Sequence, residues 1–451
     1  MNKFFVKNFL FPIHEFLLGR KTLALLKTID NSQWLSSENL EIYQYNKLKT
    51  LLKYAYENVH YYRDSFCKIG LIPEDIKSVK DLKNLPFITK NLIKRNLEKF
   101  KSASLRKKLF RMNTGGSTGE PLIFFVDKDR ICHDRAAHLR ARRWWNIDIG
   151  DKEIVFWGSP VELNTQDRLK TFRDLFLNTK LLSAFKMGER QMFEYAKMIE
   201  KYKPKHIFGY PSSIYLFSRF LRKNGIKINQ NMVRTIFVTG EVLYPYQKVT
   251  IEQTFGCPVA NGYGGRDGGF IAHECPQHRL HVSEDIIVEI INEKGEPASC
   301  GEKGEIVITH LNWFGMPFIR YKMGDIASRS DEMCPCGRVL PILTNIQGRS
   351  ADFILTPEGN ILHALSVIYP IRDIEGIQQF KIIQKTLNSL IVNIVKSEDY
   401  NCKSENKLNQ YFEQLLGKDV TVEIDYVDNI AEEKSGKFRH VVSHVKPEVL
   451  N

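Results

Sequence analysis

The spacing of apolar residues divides the chain into three textures. From residue 36 to about 100 they recur at helical intervals, with Leu48, Leu51, Leu52 and Tyr56 on one face among charged neighbours. Asn84-Leu-Pro-Phe87 breaks that pattern, and Thr89 stands where it can cap the helix that follows. From about 110 to 345, apolar runs at Glu153–Trp157, His206–Gly209 and 235–238 predict buried strands, with helices over Glu189–Tyr202 and 212–223 between them. Strands alternating with helices predict an α/β architecture. Across 282–309 the texture changes to alternating residues around Gly-containing turns, which predicts an antiparallel subregion of about 280–345. Beyond Gly348-Arg349 the pattern predicts a small α+β unit, with strands near 379–384, 389–395 and 420–426 and a helix near 407–416. The boundary near 348–352 is a candidate hinge, dividing the chain into 1–347 and 348–451.

A chain of 451 residues exceeds one ordinary core, so more than one domain is expected. The hydrophobic fraction, 43%, is that of a soluble globular protein, and no apolar run of about 18 residues offers a spanning helix. The opening MNKFFVKNFLFPIHEFLL lacks a long apolar run and a small-residue cleavage site, which argues against a secretory signal. It reads either as a helix packed on its own domain or as an amphipathic segment in peripheral contact with a membrane, interrupted in both cases by Pro12. The expected location is the cytoplasm.

The formal charge of +13 raises nucleic acid and anionic membranes as partners. The Lys residues are spread along the chain, however, and no basic run is interleaved with stacking aromatics, so no nucleic acid partner is expected. A phosphate-rich small ligand accounts for the charge as well. Eight Cys in a chain of this size do not make a secreted disulfide scaffold, and Cys67, Cys132, Cys257, Cys300 and Cys402 are scattered and expected to be reduced.

The sharpest local signal is Asn113-Thr-Gly-Gly-Ser-Thr-Gly-Glu-Pro121, followed by LIFFV. Thr114, Gly115, Gly116, Ser117, Thr118 and Gly119 allow a tight turn whose backbone N–H groups and hydroxyls can face phosphate oxygens. No Gly-Lys-Ser/Thr follows at Walker spacing, and an ordinary hairpin turn is the plainer alternative. The segment closely resembles the phosphate-binding loop of the adenylate-forming (AMP-binding) superfamily. That resemblance implies a large N-terminal nucleotide- and acid-binding domain, with mixed sheets flanked by helices, and a small mobile C-terminal lid domain.

Further motifs follow in the superfamily's order. Val238-Thr-Gly240-Glu241 is similar to the loop beside the adenine. Asn261-Gly-Tyr263-Gly264-Gly-Arg266-Asp267 resembles the Tyr-Gly-x-Thr/Ser-Glu motif. There Tyr263 can stack on a purine, and a carboxylate nearby can hold Mg²⁺ against the phosphates. Arg266-Asp267 replaces the family's hydroxyl–Glu pair; Asp keeps the carboxylate and Arg266 can reach phosphate or the substrate carboxylate. Asp325, in Arg320-Tyr-Lys-Met-Gly-Asp325, occupies the position that implies bonds to the ribose hydroxyls, and Arg349, in Gly348-Arg-Ser-Ala-Asp352, resembles the hinge motif with Ala351 in place of one acid. Glu433-Lys-Ser-Gly-Lys437 resembles the C-terminal loop whose Lys meets the carboxylate and α-phosphate as charge rearranges.

Leu51 to Arg63 and Leu85-Pro-Phe-Ile-Thr-Lys90 are similar to the opening of phenylacetate–CoA ligase relatives, in particular the branch found in capsular and other polysaccharide biosynthesis. That branch often carries zinc, and Cys275, His281, Cys334 and Cys336 would suit a closed, structural tetrahedral Zn²⁺ site, with His278 and His273 as competing donors. The resemblance implies an ATP- and Mg²⁺-dependent ligase that adenylates a carboxylic acid and passes the acyl group to CoA. The alternatives are a carrier-protein thiol or a sugar amine as acceptor, or a nucleotide-binding relative without turnover. The aromatic stretches Arg140 to Trp145 and Phe208 to Ser212 are candidates for the acid pocket or for core.

Overall fold

The computed structural model describes residues 1–114, 121–157, 174, 176–184, 187–347, 353–357, 361–363, 367–368, 370–371, 374–417, 419–430 and 440–445. Its centre is one eleven-stranded sheet. Five strands run parallel, in the spatial order Thr179–Ser183, Glu153–Trp157, His206–Gly209, Thr235–Thr239 and Val259–Gly265. The sheet then continues antiparallel through Gly269–Glu274, Leu280–Val282, Ile342–Gln347, Tyr321–Ser330, Gly304–His310 and Ile286–Ile291. The antiparallel subregion is therefore the second half of the same sheet.

The parallel half is apolar because helices cover it. Ile154, Phe156, Ile207, Ile236 and Val238 pack with Ile199, Phe217 and Ile251 from the helices Glu189–Tyr202, Pro211–Lys223 and Pro245–Phe255. On the antiparallel half, Leu48, Leu51, Leu52 and Ala55 of the helix Ser37–Asn58 are buried against Ile290, Ile308, Trp313 and Tyr321. Thr89 caps the helix Lys90–Arg95 by accepting from Leu92 N, as its position predicts.

One expectation differs from the structure: Pro12 does not interrupt the N-terminal helix. A π-turn over Val6–Leu10 passes into the α-helix Phe11–Leu17 with Pro12 in its first turn, where its missing N–H is tolerated. Of the two alternatives for Arg140 to Trp145, the structure takes core. Arg140 is fully buried on Glu284, with N–O distances of 2.6 and 2.5 Å, and Trp144 and Trp145 pack among Cys275, Cys334 and Ile342. Among the described residues, no helix is long and apolar enough to cross a membrane.

The C-terminal segment has a core of its own, including Ile354, Phe380, Ile382, Val392, Leu408, Phe412 and Val441. Ile377–Thr386 and Ser389–Lys396 form a hairpin, and the helix Cys402–Leu416 carries the chain to the parallel strand Thr421–Tyr426. Val441–Ser443 adds a parallel strand on the other side, which the sequence pattern did not suggest. The expected hinge residues Gly348, Arg349, Ala351 and Asp352 lie outside the described residues.

Candidate active site and metal centre

The parallel strands all end at one edge of the sheet, where open α/β sheets bind ligands. At that edge the Trp157 ring stacks on Tyr210 at 4.1 Å and on Phe208 at 5.5 Å. Gly240 turns there with φ +83, and a Cβ would come within 3.1 Å of the Tyr210 ring, so the turn suits glycine. Glu241 is engaged on protein: its carboxylate accepts from Ser212 N at 3.1 Å and Ser212 Oγ at 3.0 Å, at the start of Pro211–Lys223.

Tyr263 and Asp325 meet. The Tyr263 hydroxyl donates to Asp325 Oδ2 at 2.9 Å, although their strands are not neighbours in the sheet. Gly264 follows at a bulge, where a Cβ would fall 2.3 Å from Gly269 O. Asp267 is 6% exposed; it accepts from the Tyr321 hydroxyl at 2.8 Å and pairs with Lys90 Nζ at 3.3 Å. Arg266 reaches the other way, its Nη1 donating to Asn113 O at 3.4 Å.

Asn113 closes the strand Phe110–Asn113, which pairs antiparallel with Ile123–Val126 on the far side of the glycine turn. Thr114 N donates to Leu122 O, and Thr114 Oγ1 accepts from Leu122 N, both at 3.0 Å. The two ends of the glycine turn are thus pinned beside Arg266. Gly115, Gly116, Ser117, Thr118, Gly119, Arg349 and Lys437 lie outside the described residues.

Three further residues organise this edge without having been singled out. Lys90 is brought to Asp267 because Ile88 joins Tyr321 in a parallel bridge. Tyr321 holds the other side of that carboxylate. Arg130, 1% exposed, lies 3.8 Å from the Trp313 ring centroid and donates to Arg266 O at 2.7 Å. Burial lowers its guanidinium pKa, opposed by Asp134 and Asp267. Lys90 had one sequence signal, the Leu85–Lys90 motif; an isolated Arg on an amphipathic helix has none.

At the opposite end of the antiparallel half, Cys275, His281, Cys334 and Cys336 place their ligand atoms within 4.8 Å of one another. Cys275 Sγ lies 3.6 Å from Cys334 Sγ, and Cys336 Sγ lies 3.4 Å from His281 Nε2. Zn–S of about 2.3 Å and Zn–N of about 2.0 Å at tetrahedral angles put neighbouring ligands about 3.5–3.8 Å apart, so the set fits zinc. His281 Nδ1 is 3.1 Å from Leu340 O, which selects the tautomer that leaves Nε2 for a metal. Of the competing donors, His278 Nδ1 pairs with Glu274 at 2.6 Å, and the buried His273 packs on Phe270.

A sheet that passes from parallel to antiparallel, with Gly240, Tyr263, Arg266, Asp267 and Asp325 at its carboxyl edge and a small α+β unit following it, is the build of an adenylate-forming ligase. The chain belongs to the AMP-binding enzyme family, whose model matches residues 58–315, and it sits in the phenylacetate–CoA ligase-like, CapK-related branch. The CapK C-terminal domain model matches residues 354–444. Among curated proteins, the chain is similar to Protein CapK of Staphylococcus aureus, 24% identical over 407 residues and 89% of each chain. It is also similar to phenylacetate-coenzyme A ligases of Thermus thermophilus, 25% identical over 72% of this chain and 74% of that one, and of Escherichia coli, 26% over 74% and 76%. Among solved structures, 2-hydroxyisobutyryl-CoA ligase in complex with 2-HIB-AMP and CoA superposes with a TM-score of 0.67 over 93% of each chain at 20% identity, a likeness of fold.

Proposed function

We propose that this ligase uses ATP to adenylate a carboxylic acid and passes the acyl group to the thiol of CoA. The observation that carries the reading is the convergence of Arg266 on Asn113, beside the glycine turn, within one motif of the Tyr263–Asp325 pair. Three segments far apart in sequence supply groups suited to phosphate, purine and ribose, and the phenylacetate–CoA ligase relatives support the thiol acceptor.

In this reading a carboxylate oxygen bonds to the α-phosphorus, the bridging P–O bond breaks and pyrophosphate leaves. Gly115 to Gly119, with Thr114, cradle the phosphates, Tyr263 and Gly264 face the adenine beside Gly240 and Glu241, and Asp325 with Arg349 holds the ribose. Lys437 and Arg266 offset the charge that moves onto the α-phosphate. Mg²⁺, when bound with ATP, supplies further positive charge against the phosphates, and Asp267 is the carboxylate suited to it. The acceptor thiolate then attacks the acyl carbon and AMP leaves. Residues 348–451 act as the lid that brings Lys437 in, and the corner at Cys275, His281, Cys334 and Cys336 holds a structural Zn²⁺. In this reading the enzyme works in the cytoplasm, where ATP and CoA are at hand.

The test is ATP–pyrophosphate exchange over aryl, fatty, amino and hydroxy acids, followed by product analysis with CoA, a carrier-protein thiol or an amino sugar. Exchange with one acid class and a thioester product supports the proposal. Nucleotide binding with no exchange for any acid would leave a binding protein, and an amide product would move the acceptor from thiol to amine.

A further inference from the structure

The N-terminal helix packs with its apolar face outward. Val6, Phe11 and Glu15 are its buried residues, at 0%, 4% and 2% exposure. Its inner edge is fastened by polar contacts: Lys3 to Asp151 and Lys7 to Asp148, both at 2.6 Å, and Asn178 Nδ2 to Met1 O at 3.1 Å. Glu15 accepts from the Thr22 hydroxyl and faces Arg135 and Arg20 at 3.5 and 3.7 Å. These contacts fix the rotation of the helix about its axis.

What this rotation presents to solvent is Phe5, Phe9, Ile13 and Phe16, one stripe at three- and four-residue spacing, with Phe4 and Leu17 beside it. Phe4 is 67% exposed, Leu17 77% and Phe16 83%. Phe5 and Phe9 stack on each other at 5.5 Å and Phe4 lies 6.4 Å from Phe9, so these three rings adjoin. Solitary exposed apolar residues are ordinary, but a contiguous aromatic ridge on one helix marks a binding surface.

The charges around the ridge point to one kind of occupant. Between residues 1 and 28 the only acid is Glu15, which is buried, whereas Lys3, Lys7, Arg20, Lys21 and Lys27 are basic. Lys21 and Lys27 are exposed, and Lys128 extends beside the turn at Gly19 that follows Phe16. A second copy docking on the same face would bring two such rims together with no exposed acid from this segment to meet them. Exposed Phe rings, with Lys128 beside the turn that ends their helix and Lys21 and Lys27 exposed just after it, match a bilayer surface instead, with rings entering the acyl boundary and ammonium groups on anionic headgroups.

We propose that residues 1–28 dock the enzyme on an anionic membrane surface, with Phe5, Phe9, Ile13 and Phe16 inserted and Lys21, Lys27 and Lys128 at the headgroups. Among the described residues, the sheet's carboxyl edge contributes nothing to this surface, so docking and catalysis are separable. The experiment is vesicle flotation of the full chain, with phosphatidylglycerol–phosphatidylcholine vesicles against pure phosphatidylcholine, and light scattering for the oligomeric state. The wild type should float with anionic vesicles and lose that binding as salt rises. F9S/F16S should lower partitioning by at least about tenfold with an unchanged circular dichroism spectrum. K21E/K27E should lose the preference for anionic vesicles. Failure of the wild type to float with either vesicle overturns the proposal. So does a dimer that F9S/F16S dissolves in the absence of vesicle binding, since the occupant would then be a second copy. ATP–pyrophosphate exchange without vesicles should be the same in all three proteins.

Discussion

The corner at Cys275 and the edge at Tyr263 are built on the same sheet, yet they are prepared differently. At the corner, short strands and one knuckle bring three sulfurs and an imidazole within 4.8 Å, and Leu340 O already orients the ring. At the edge, the groups suited to ligand are occupied with one another: Tyr263 on Asp325, and Tyr321 and Lys90 on Asp267. The corner's four donors sit at the spacing a tetrahedral zinc would require. Under the proposed function, a ligand at the edge would exchange these internal hydrogen bonds for its own. Donors gathered around one point suit a fixed ion, whereas polar groups paired with one another suit exchange with a ligand.

The largest expected effect separates the two regions by stability. Cys334→Ser/Cys336→Ser should abolish the zinc binding proposed for the corner and lower unfolding free energy by more than about 5 kcal/mol, given that structural zinc contributes about 10–16 kcal/mol in zinc-finger peptides. Metal analysis with thermal unfolding reads this. A variant that keeps one equivalent of metal and its stability would break the contrast. Next in size, Lys437→Ala should reduce adenylation about a thousandfold, or about 4 kcal/mol of transition-state stabilisation, with metal content and melting unchanged. Pyrophosphate exchange measures it, and undiminished exchange would remove Lys437 from the mechanism.

The two regions also differ in what the sequence disclosed. Glu189–Tyr202 and Glu153–Trp157 were predicted with the bounds the structure has, because their apolar spacing is set by a covered sheet. The four candidate metal ligands were legible as residue types, and the structure gathers all four. Joining the parallel and antiparallel runs into one sheet was not legible, since strand order depends on pairings such as Ile342 with His281 that leave no local pattern. Three-residue strands such as Val441–Ser443 are too short to show a period. At the edge, Tyr263, Asp267 and Asp325 were named through motifs, but Lys90, Arg130 and Tyr321 act through contacts made by distant elements. Glu241 was named as a nucleotide residue, and its carboxylate lies on Ser212.

A smaller effect sharpens the account of the edge. Tyr263→Phe removes the hydroxyl on Asp325 but keeps the ring, so purine stacking should survive while Asp325 loses one donor. Losing one hydrogen bond to a charged group should cost about 1.5–3 kcal/mol if ligand does not replace it, and much less if ribose hydroxyls do. The expected result is a melting temperature that falls without nucleotide and recovers with ATP, at nearly unchanged exchange. Equal destabilisation with and without ATP would mean that the Tyr263–Asp325 bond persists in the complex.

The smallest effect lies at the seam between the two halves. The His138 ring sits 5.1 Å from Phe208 and 4.4 Å from Phe270, and its Nε2 is buried with no hydrogen-bond partner among the described residues. Burial, aided by Arg142, holds its pKa well below the ordinary value. The unfolded chain therefore takes up a proton near about pH 6.5 while the folded one does not. Its contribution is complete above that pH and is lost as pH falls, at up to about 1.4 kcal/mol per unit. His138→Leu should flatten the loss of urea stability between about pH 7 and about pH 5 by about 1–2 kcal/mol. Some slope should remain, because burial also lowers His206 and His310. If wild type and variant lose stability in parallel over that interval, His138 is protonated in both states and the seam is wetter than its aromatic neighbours imply.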